Sequence, residues 1–230
     1  MQELDRKEFW NARAGLGARS GTNDTGAKQI EVETILNAIP AGSRVVDFGC
    51  GAGETLVRLA VDKDCSGVGM DYADAMLQTA RKAALGCGVG NMLDFVFGQL
   101  PEVGIPGGKF DYALTERALI NLDTPEAQFN AIESILSHVR PGGRYLMIEN
   151  SQQGLEQVNY WRERLGLSRI ESPWHNLYLD EQCIPLWEKQ LDGKAKLVSV
   201  SSPTSTYYLC SRVVVAKLAQ DAGEEPRYDH

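Results

Sequence analysis

Apolar residues fall along this chain in two alternating patterns. Short solid runs at 44–48, 66–71, 93–97, 110–115 and 144–149 read as buried strands, and stretches at 54–60, 74–85, 124–139 and 154–165 space their apolar residues three and four apart, as amphipathic helices do. Thr124-Pro125 offers a cap and then a proline at the first turn, while Pro141-Gly142-Gly143 and Gly166 mark helix ends. Strand followed by helix, repeated, predicts an α/β fold with a doubly wound parallel sheet. The end of the chain breaks this rhythm. After a short helix at 181–190, β-rich runs at 195–201 and 206–217 lie close enough to form an antiparallel hairpin, and 221–230 reads as a loose polar tail.

A length of 230 residues suits one domain with a full core. Hydrophobic residues make up 43% and charged ones 23%, ordinary for a soluble globular protein, and no run approaches the roughly 20 apolar residues that span a bilayer. Glu3, Asp5 and Glu8 stand where a secretory signal would be apolar, so a cytoplasmic location is expected, with the five scattered cysteines as reduced thiols. A net charge of −8 repels a phosphate backbone and argues against nucleic acid as a partner. Arg162, Arg164 and Arg169 read as a solvated helix face, with an anion site as the alternative.

Candidate chemistry begins at Asp47-Phe48-Gly49-Cys50-Gly51-Ala52-Gly53, where glycines between a strand and a helix let a ligand approach the backbone and the helix N-terminus. A dinucleotide fingerprint starting at Gly49 requires Gly or Ala at position 54. Glu54 stands there instead, opposing a pyrophosphate, while Asp47 suits a ligand that carries an ammonium group. Asp71 ends the second strand, where a carboxylate either accepts from both hydroxyls of a ribose or caps the next helix. Tyr72 and Met76 are placed to flank an adenine or simply to pack.

Taken in order, these motifs resemble the class I S-adenosylmethionine-dependent methyltransferases over residues 44–149. Val45 to Gly53 is similar to that family's first motif, Asp71 to its ribose acid, and Arg140-Pro141-Gly142-Gly143-Arg144 to the turn entering its fifth strand. The resemblance implies a seven-stranded, mostly parallel sheet of order 3-2-1-4-5-7-6 with an antiparallel terminal hairpin. It also implies S-adenosylmethionine as cofactor and S-adenosylhomocysteine as product. Asp47 and Gly49, with Cys50 in the same loop, would meet the methionine part, Gly51 would leave room for the sulfonium, and Gly98-Gln99-Leu100 would meet the adenine. Gln99 departs from the family's usual acid, although its amide oxygen can still accept.

Methyl transfer from a sulfonium asks mainly for in-line placement of a nucleophile. The carboxyl ends of the strands should hold that nucleophile, which brings forward Thr115, Glu116 and Arg117 after strand four and Glu149 and Asn150 after strand five. Thr115 is read as a cofactor contact, Glu116 and Glu149 as candidate catalytic groups, and Arg117 and Asn150 as acceptor contacts. Glu116 and Arg117 can equally form a local ion pair. Residues 151–179 read as an insertion roofing the acceptor pocket, with Trp174 and Asn176 as contacts. His175 is the candidate general base, or a structural histidine, because imidazole titrates near neutrality.

Residues 1–40 resemble the lid segment of small-molecule members, with Arg13 either placed to pair the cofactor carboxylate or simply an exposed arginine in a mobile terminus. The single domain then divides into a lid (1–40), a cofactor core (41–150), the insertion (151–179), a terminal helix and hairpin (180–218) and a tail (219–230). No metal-ligand spacing is present, so catalysis is expected to be metal-independent. The expected activity is methylation of a small polar acceptor. A loose likeness of Glu116-Arg117-Ala118-Leu119-Ile120-Asn121-Leu122 and Trp174-His175-Asn176 to methyltransferases of polysaccharide assembly favours a sugar or phosphosaccharide oxygen. The alternatives are an amine or carboxylate of another metabolite, or a cofactor-binding domain without turnover.

Overall fold

The computed structural model describes residues 3–102 and 104–226. Five strands, β1 (Arg44–Phe48), β2 (Ser66–Asp71), β3 (Leu93–Phe97), β4 (Phe110–Glu116) and β5 (Val139–Ile148), pair in parallel in the order β3-β2-β1-β4-β5. β1 lies at the centre and is buried from Val45 onward, which explains its unbroken apolar run. Its side chains alternate between two cores. Val45 joins Ile35, Leu56, Leu59 and Leu77 on one face, while Val46 and Phe48 join Phe110, Ile132, Ile135 and Trp187 on the other.

The helices that cover these faces are α2 (Thr25–Ala38), α3 (Glu54–Lys63) and α4 (Asp74–Gly86) on the first and α5 (Pro125–Leu136) and α7 (Ile184–Gln190) on the second, while α1 (Glu3–Arg13) packs on α4 and α6 (Gln152–Arg164) on the C-terminal helical segment. Several starts are capped as their sequences require: Asp24, Thr124 and Ser151 accept from the backbone N–H three residues on. Among the described residues no helix is long and apolar enough to cross a membrane.

Two sequence expectations are corrected. The fifth strand begins at Val139, and α5 stops at Leu136 rather than running on to 139. Arg140 to Gly143 form a bulge: Phe110 pairs with Val139, the next register pair is Tyr112 with Arg144, and Gly142 sits at φ 78° inside the irregularity. The second correction is larger, because the seven-stranded sheet and its antiparallel hairpin are not formed among the described residues. Residues 195–202 carry neither helix nor strand. The following run is helical: α8 (Ser205–Tyr208), a π-helical segment at Leu209–Val215, and α9 (Ala216–Asp221).

Val213-Val214-Val215 favours a strand in isolation, but that preference is weak and yields to tertiary contacts. Here Ser211, Val213 and Ala216 are buried, Tyr207 and Arg212 both bind Asp24 at the start of α2, and Arg162 of α6 donates to the Arg212 carbonyl. The widened π turn brings residues five apart onto that one carboxylate. α9 also carries the helix to Asp221, into the expected tail, whose last residues, 227–230, lie outside the described ones.

Candidate active site at the carboxyl edge of the sheet

From β1 the chain turns through Gly49, Gly51 and Gly53, at φ 79°, 52° and 77°, into α3. A Cβ on Gly49 would lie 2.7 Å from that of Ala118, so this glycine serves packing, whereas nothing stands within 4 Å of one built on Gly51. The loop is tied to β2. Gly49 and Cys50 donate to the Met70 carbonyl at 2.8 and 2.9 Å, and the Gly51 N–H donates to Asp71 Oδ2 at 2.9 Å. Asp71 Oδ1 accepts from Ala73 at 2.8 Å, so one carboxylate both starts α4 and shapes the loop while keeping lone pairs for a ligand.

Asp47 is fully buried and its Oδ1 has no hydrogen-bond partner. Burial, reinforced by the negative charges of Glu116 and Asp71 against the pull of Lys28, raises its pKa to about 8. Such a group gains most from a cationic partner, and it lies beside the open space over Gly51.

At the end of β4, Glu116 accepts from Lys28 Nζ at 2.6 Å and from the Thr55 hydroxyl at 2.7 Å. Burial pushes its pKa up, but Lys28 and Arg117 more than offset that, and the net shift is downward. Arg117, at φ 55°, pairs with Glu31 of α2 at 3.1 Å; burial dominates at Glu31 and lifts its pKa to about 7. Glu149 is occupied by structure: its oxygens accept from the N–H groups of Ala118, Leu119 and Ile120 at 3.1, 3.0 and 3.4 Å, and burial raises its pKa to about 7. Thr115 is sealed within the sheet, its hydroxyl 2.7 Å from that of Tyr145.

An open cleft of about 2480 Å³ takes in this edge and continues past β5 to its start. Its lining includes Asp47, Gly49, Cys50, Gly51, Asp71, Tyr72, Met76, Gly98, Gln99 and Leu100, and also Glu116, Arg117, Glu149, Asn150, His175 and Asn176. α1 closes over the first part, with Asn11 accepting from Ala75 at 3.1 Å and Trp10 packing by Ala52, Ala73 and Met76. Arg13 also lines the cleft, but its guanidinium orders the turn after α1 by donating to the carbonyls of Ser20 and Arg19 and to Asn23. Trp174 lies outside, half exposed, with its ring on Phe9 and His175. The His175 ring is held by Phe9, Trp10 and Trp174 at centroid distances of 4.7, 5.4 and 5.1 Å, and its Nδ1 is buried without a partner. Burial, then Arg13 and Arg6, lower its pKa, so the imidazole is neutral at pH 7.

The sequence reading did not single out Lys28, Glu31, Asp24, Tyr208 or Arg212, all of which line the cleft. The signal for the first two was two charges three apart on the helical face that also carries buried Val32 and Ile35. For the last two there was none, because that segment read as a strand.

Residues 45–143 match the family described as methyltransferase domain. Over 121 residues the chain is 31% identical to the ubiquinone/menaquinone biosynthesis C-methyltransferase UbiE of Ectopseudomonas mendocina, covering 52% of this chain and 46% of that protein. It is 28% identical to the 27-O-demethylrifamycin SV methyltransferase of Amycolatopsis mediterranei, covering 50% and 43% respectively. The chain thus spans about half the length of the curated relatives it matches. Among solved structures, a methyltransferase from Geobacter sulfurreducens in complex with S-adenosyl-L-homocysteine covers 85% of this chain and 83% of its own at 17% identity, with a TM-score of 0.51. That likeness is one of fold.

Proposed function

We propose that this chain, which carries the class I S-adenosylmethionine-dependent methyltransferase core across residues 45–143, binds that cofactor at the ends of β1 and β2 and transfers its methyl group to a small molecule. The observation that carries the reading is the buried, unpartnered Asp47 oxygen beside open space at Gly51, with Asp71 on the next strand. The residues present fit the group: Asp47 meets its ammonium, Asp71 its ribose hydroxyls, and Tyr72, Met76 and Gly98-Gln99-Leu100 its adenine. When bound, S-adenosylmethionine supplies an electrophilic methyl on a sulfonium. The chain's own task is then to orient the acceptor and take its proton. His175 Nδ1 is the base, being neutral and shielded from bulk water. Glu116 and Arg117 position the floor through Lys28 and Glu31, and Glu149 holds the 118–120 turn.

The finer reading is oxygen methylation of a hydroxylated acceptor such as a sugar. It is supported by polar Arg117, Asn150 and Asn176, which line the same cleft as His175.

Calorimetric titration with S-adenosylmethionine and S-adenosylhomocysteine, beside NAD, tests the cofactor site. With its pKa near 8, Asp47 is mostly protonated at pH 7, and an ammonium drawn beside it favours the anion. Binding should therefore release close to one proton at pH 7, read as heats that differ between buffers of different ionisation enthalpy, and affinity should rise with pH up to about 8. Asp47→Asn should abolish both effects. Buffer-independent heats in the parent chain, or undiminished binding by Asp47→Asn, would sink the Asp47 assignment, and no binding of either sulfur ligand would sink the function. For the base, His175→Phe keeps the aromatic packing and should lower turnover about 100-fold with S-adenosylhomocysteine affinity within about twofold. Unchanged turnover would remove His175 from the chemistry.

A further inference from the structure

Charge is spread unevenly over this molecule. The chain carries −8 in all, yet beside the amino ends of β4 and β5 five exposed cations gather: Lys109, Arg140, Arg144, Lys194 and Lys196. Strand register and side-chain bonds place them on one face. Phe110, next to Lys109, pairs with Val139, Arg140 binds Asp111 at 2.5 Å, and Arg144 pairs with Tyr112, so the first three sit where two adjacent strands begin. Lys109 also donates to the Ser137 carbonyl at the end of α5, and one turn earlier on that helix Glu133 meets Lys194 at 3.2 Å. The segment that carries Lys194 and Lys196 is thereby fastened beside the strand ends. The Leu197 N–H fixes it a second time by donating to Glu188 of α7 at 2.8 Å.

Asp111, Glu133 and Glu188 are the acids in these contacts, and Lys189 and Asp192, in the turn between, offset one another. Positive charge is left over, because Arg144 and Lys196 form no ion pair among the described residues. Directly after the lysines stand Leu197, Val198 and Val200, exposed by 49%, 68% and 66% on a stretch that is neither helix nor strand. Single exposed aliphatics are ordinary, but three within four positions, held out beside cations, form a patch. A partner for this face must offer negative charge at its surface and apolar material just beneath. A nucleic acid backbone supplies only the first. A bilayer that contains anionic lipid supplies both, with headgroups for the cations and the acyl boundary below for the aliphatic side chains.

We propose that this face docks on an anionic membrane surface, the five cations at the headgroups and the Leu197–Val200 tip below them. The inference does not rest on the methyl-transfer reading. The overall negative charge is no bar, since at physiological salt charges more than about 8 Å from the surface are screened. Lys194 and Lys196 can lay their aliphatic stems along the apolar layer while their ammonium groups stay in water. Charge and aliphatic insertion are each weak alone, so the attachment is peripheral and reversible.

The test is co-flotation of the full chain with vesicles of phosphatidylcholine alone and of phosphatidylcholine and phosphatidylglycerol in equal parts. Binding should be at least about tenfold tighter to the mixed vesicles and should be lost near about 1 M salt, where the screening length is about 3 Å. A basic residue at such a surface is worth about fivefold, so Lys194→Gln with Lys196→Gln should weaken binding about 25-fold. Val198→Ser with Val200→Ser, which leaves the charge alone, should weaken it at least about tenfold. Arg58→Gln with Lys82→Gln makes the same charge change on exposed positions of α3 and α4, across the sheet, and should stay within about twofold of the parent. Equal binding to the two vesicles, no binding to either, a lysine variant as tight as the parent, or a control as weak as the lysine variant overturns the inference. So does full binding by the serine variant, which would reduce the face to an electrostatic contact open to any acidic partner.

Discussion

Asp71→Ala should weaken binding of S-adenosylhomocysteine by at least about 100-fold while the fold survives. Two charge-assisted bonds to backbone N–H groups, at 2.9 Å to Gly51 and 2.8 Å to Ala73, would be lost together with the acceptor for the ribose. Each such bond contributes about 1.5–3 kcal/mol, and about 2.8 kcal/mol already corresponds to 100-fold. Asp71→Asn, which keeps one accepting oxygen, should fall between the two. Titration calorimetry with circular dichroism on the same samples reads the result. A variant that binds within about fivefold of the parent would show that the Gly51 loop holds its shape without the carboxylate.

Glu149→Ala should cost about 3–5 kcal/mol of folding stability, measured by urea unfolding. It would strip the acceptor from three backbone N–H groups at 118–120 in a half-buried site. Each orphaned donor costs about 1–3 kcal/mol, part of which entering water recovers. Against a total stability of about 5–15 kcal/mol that loss is severe. Glu149→Gln retains one oxygen and should cost less than half as much. If it left stability intact while ending turnover, Glu149 would instead be a chemical group.

Acid groups of this kind also set a pH trend. The folded values of about 8 for Asp47 and about 7 for Glu149 lie above ordinary values of 3.8 and 4.5. Between those limits the unfolded chain binds fewer protons, so the ligand-free fold loses stability as pH rises through the window. Bound ammonium at Asp47 should reverse that part of the trend.

The proposed cofactor half of the site could be proposed from sequence because its chemistry is local. The glycine loop and Asp71 lie at the ends of adjacent strands, so strand spacing alone brings them together. The other half of the cleft could not, because its parts come from distant segments. Lys28 and Glu31 reach Glu116 and Arg117 across more than eighty residues, and only the packing of α2 beside α3 reveals it. Glu149 was singled out by position as a candidate catalytic group, but its partners, three backbone N–H groups, leave no mark in the residue order. The terminal segment misled for another reason. Three consecutive valines signal a strand, while the Tyr207 and Arg212 contacts to Asp24, which decide the conformation, span more than 180 positions.

Among the described residues no terminal hairpin forms and β5 pairs with β4 alone; the one isolated bridge, between Ser151 and Leu179, lies beyond its end. A free strand edge is a template on which a second copy can add, the route by which sheets grow into aggregates. The first half of β5 is poorly suited to that role. Pro141 offers no N–H, the bulge at 140–143 breaks the regular spacing of donors, and Arg140 and Arg144 bring like charges together if two such edges meet. The irregularity beside β4 thus doubles as a guard on solubility. Straightening it, by deleting Gly142-Gly143 and replacing Pro141, would expose a continuous edge and raise the tendency to aggregate.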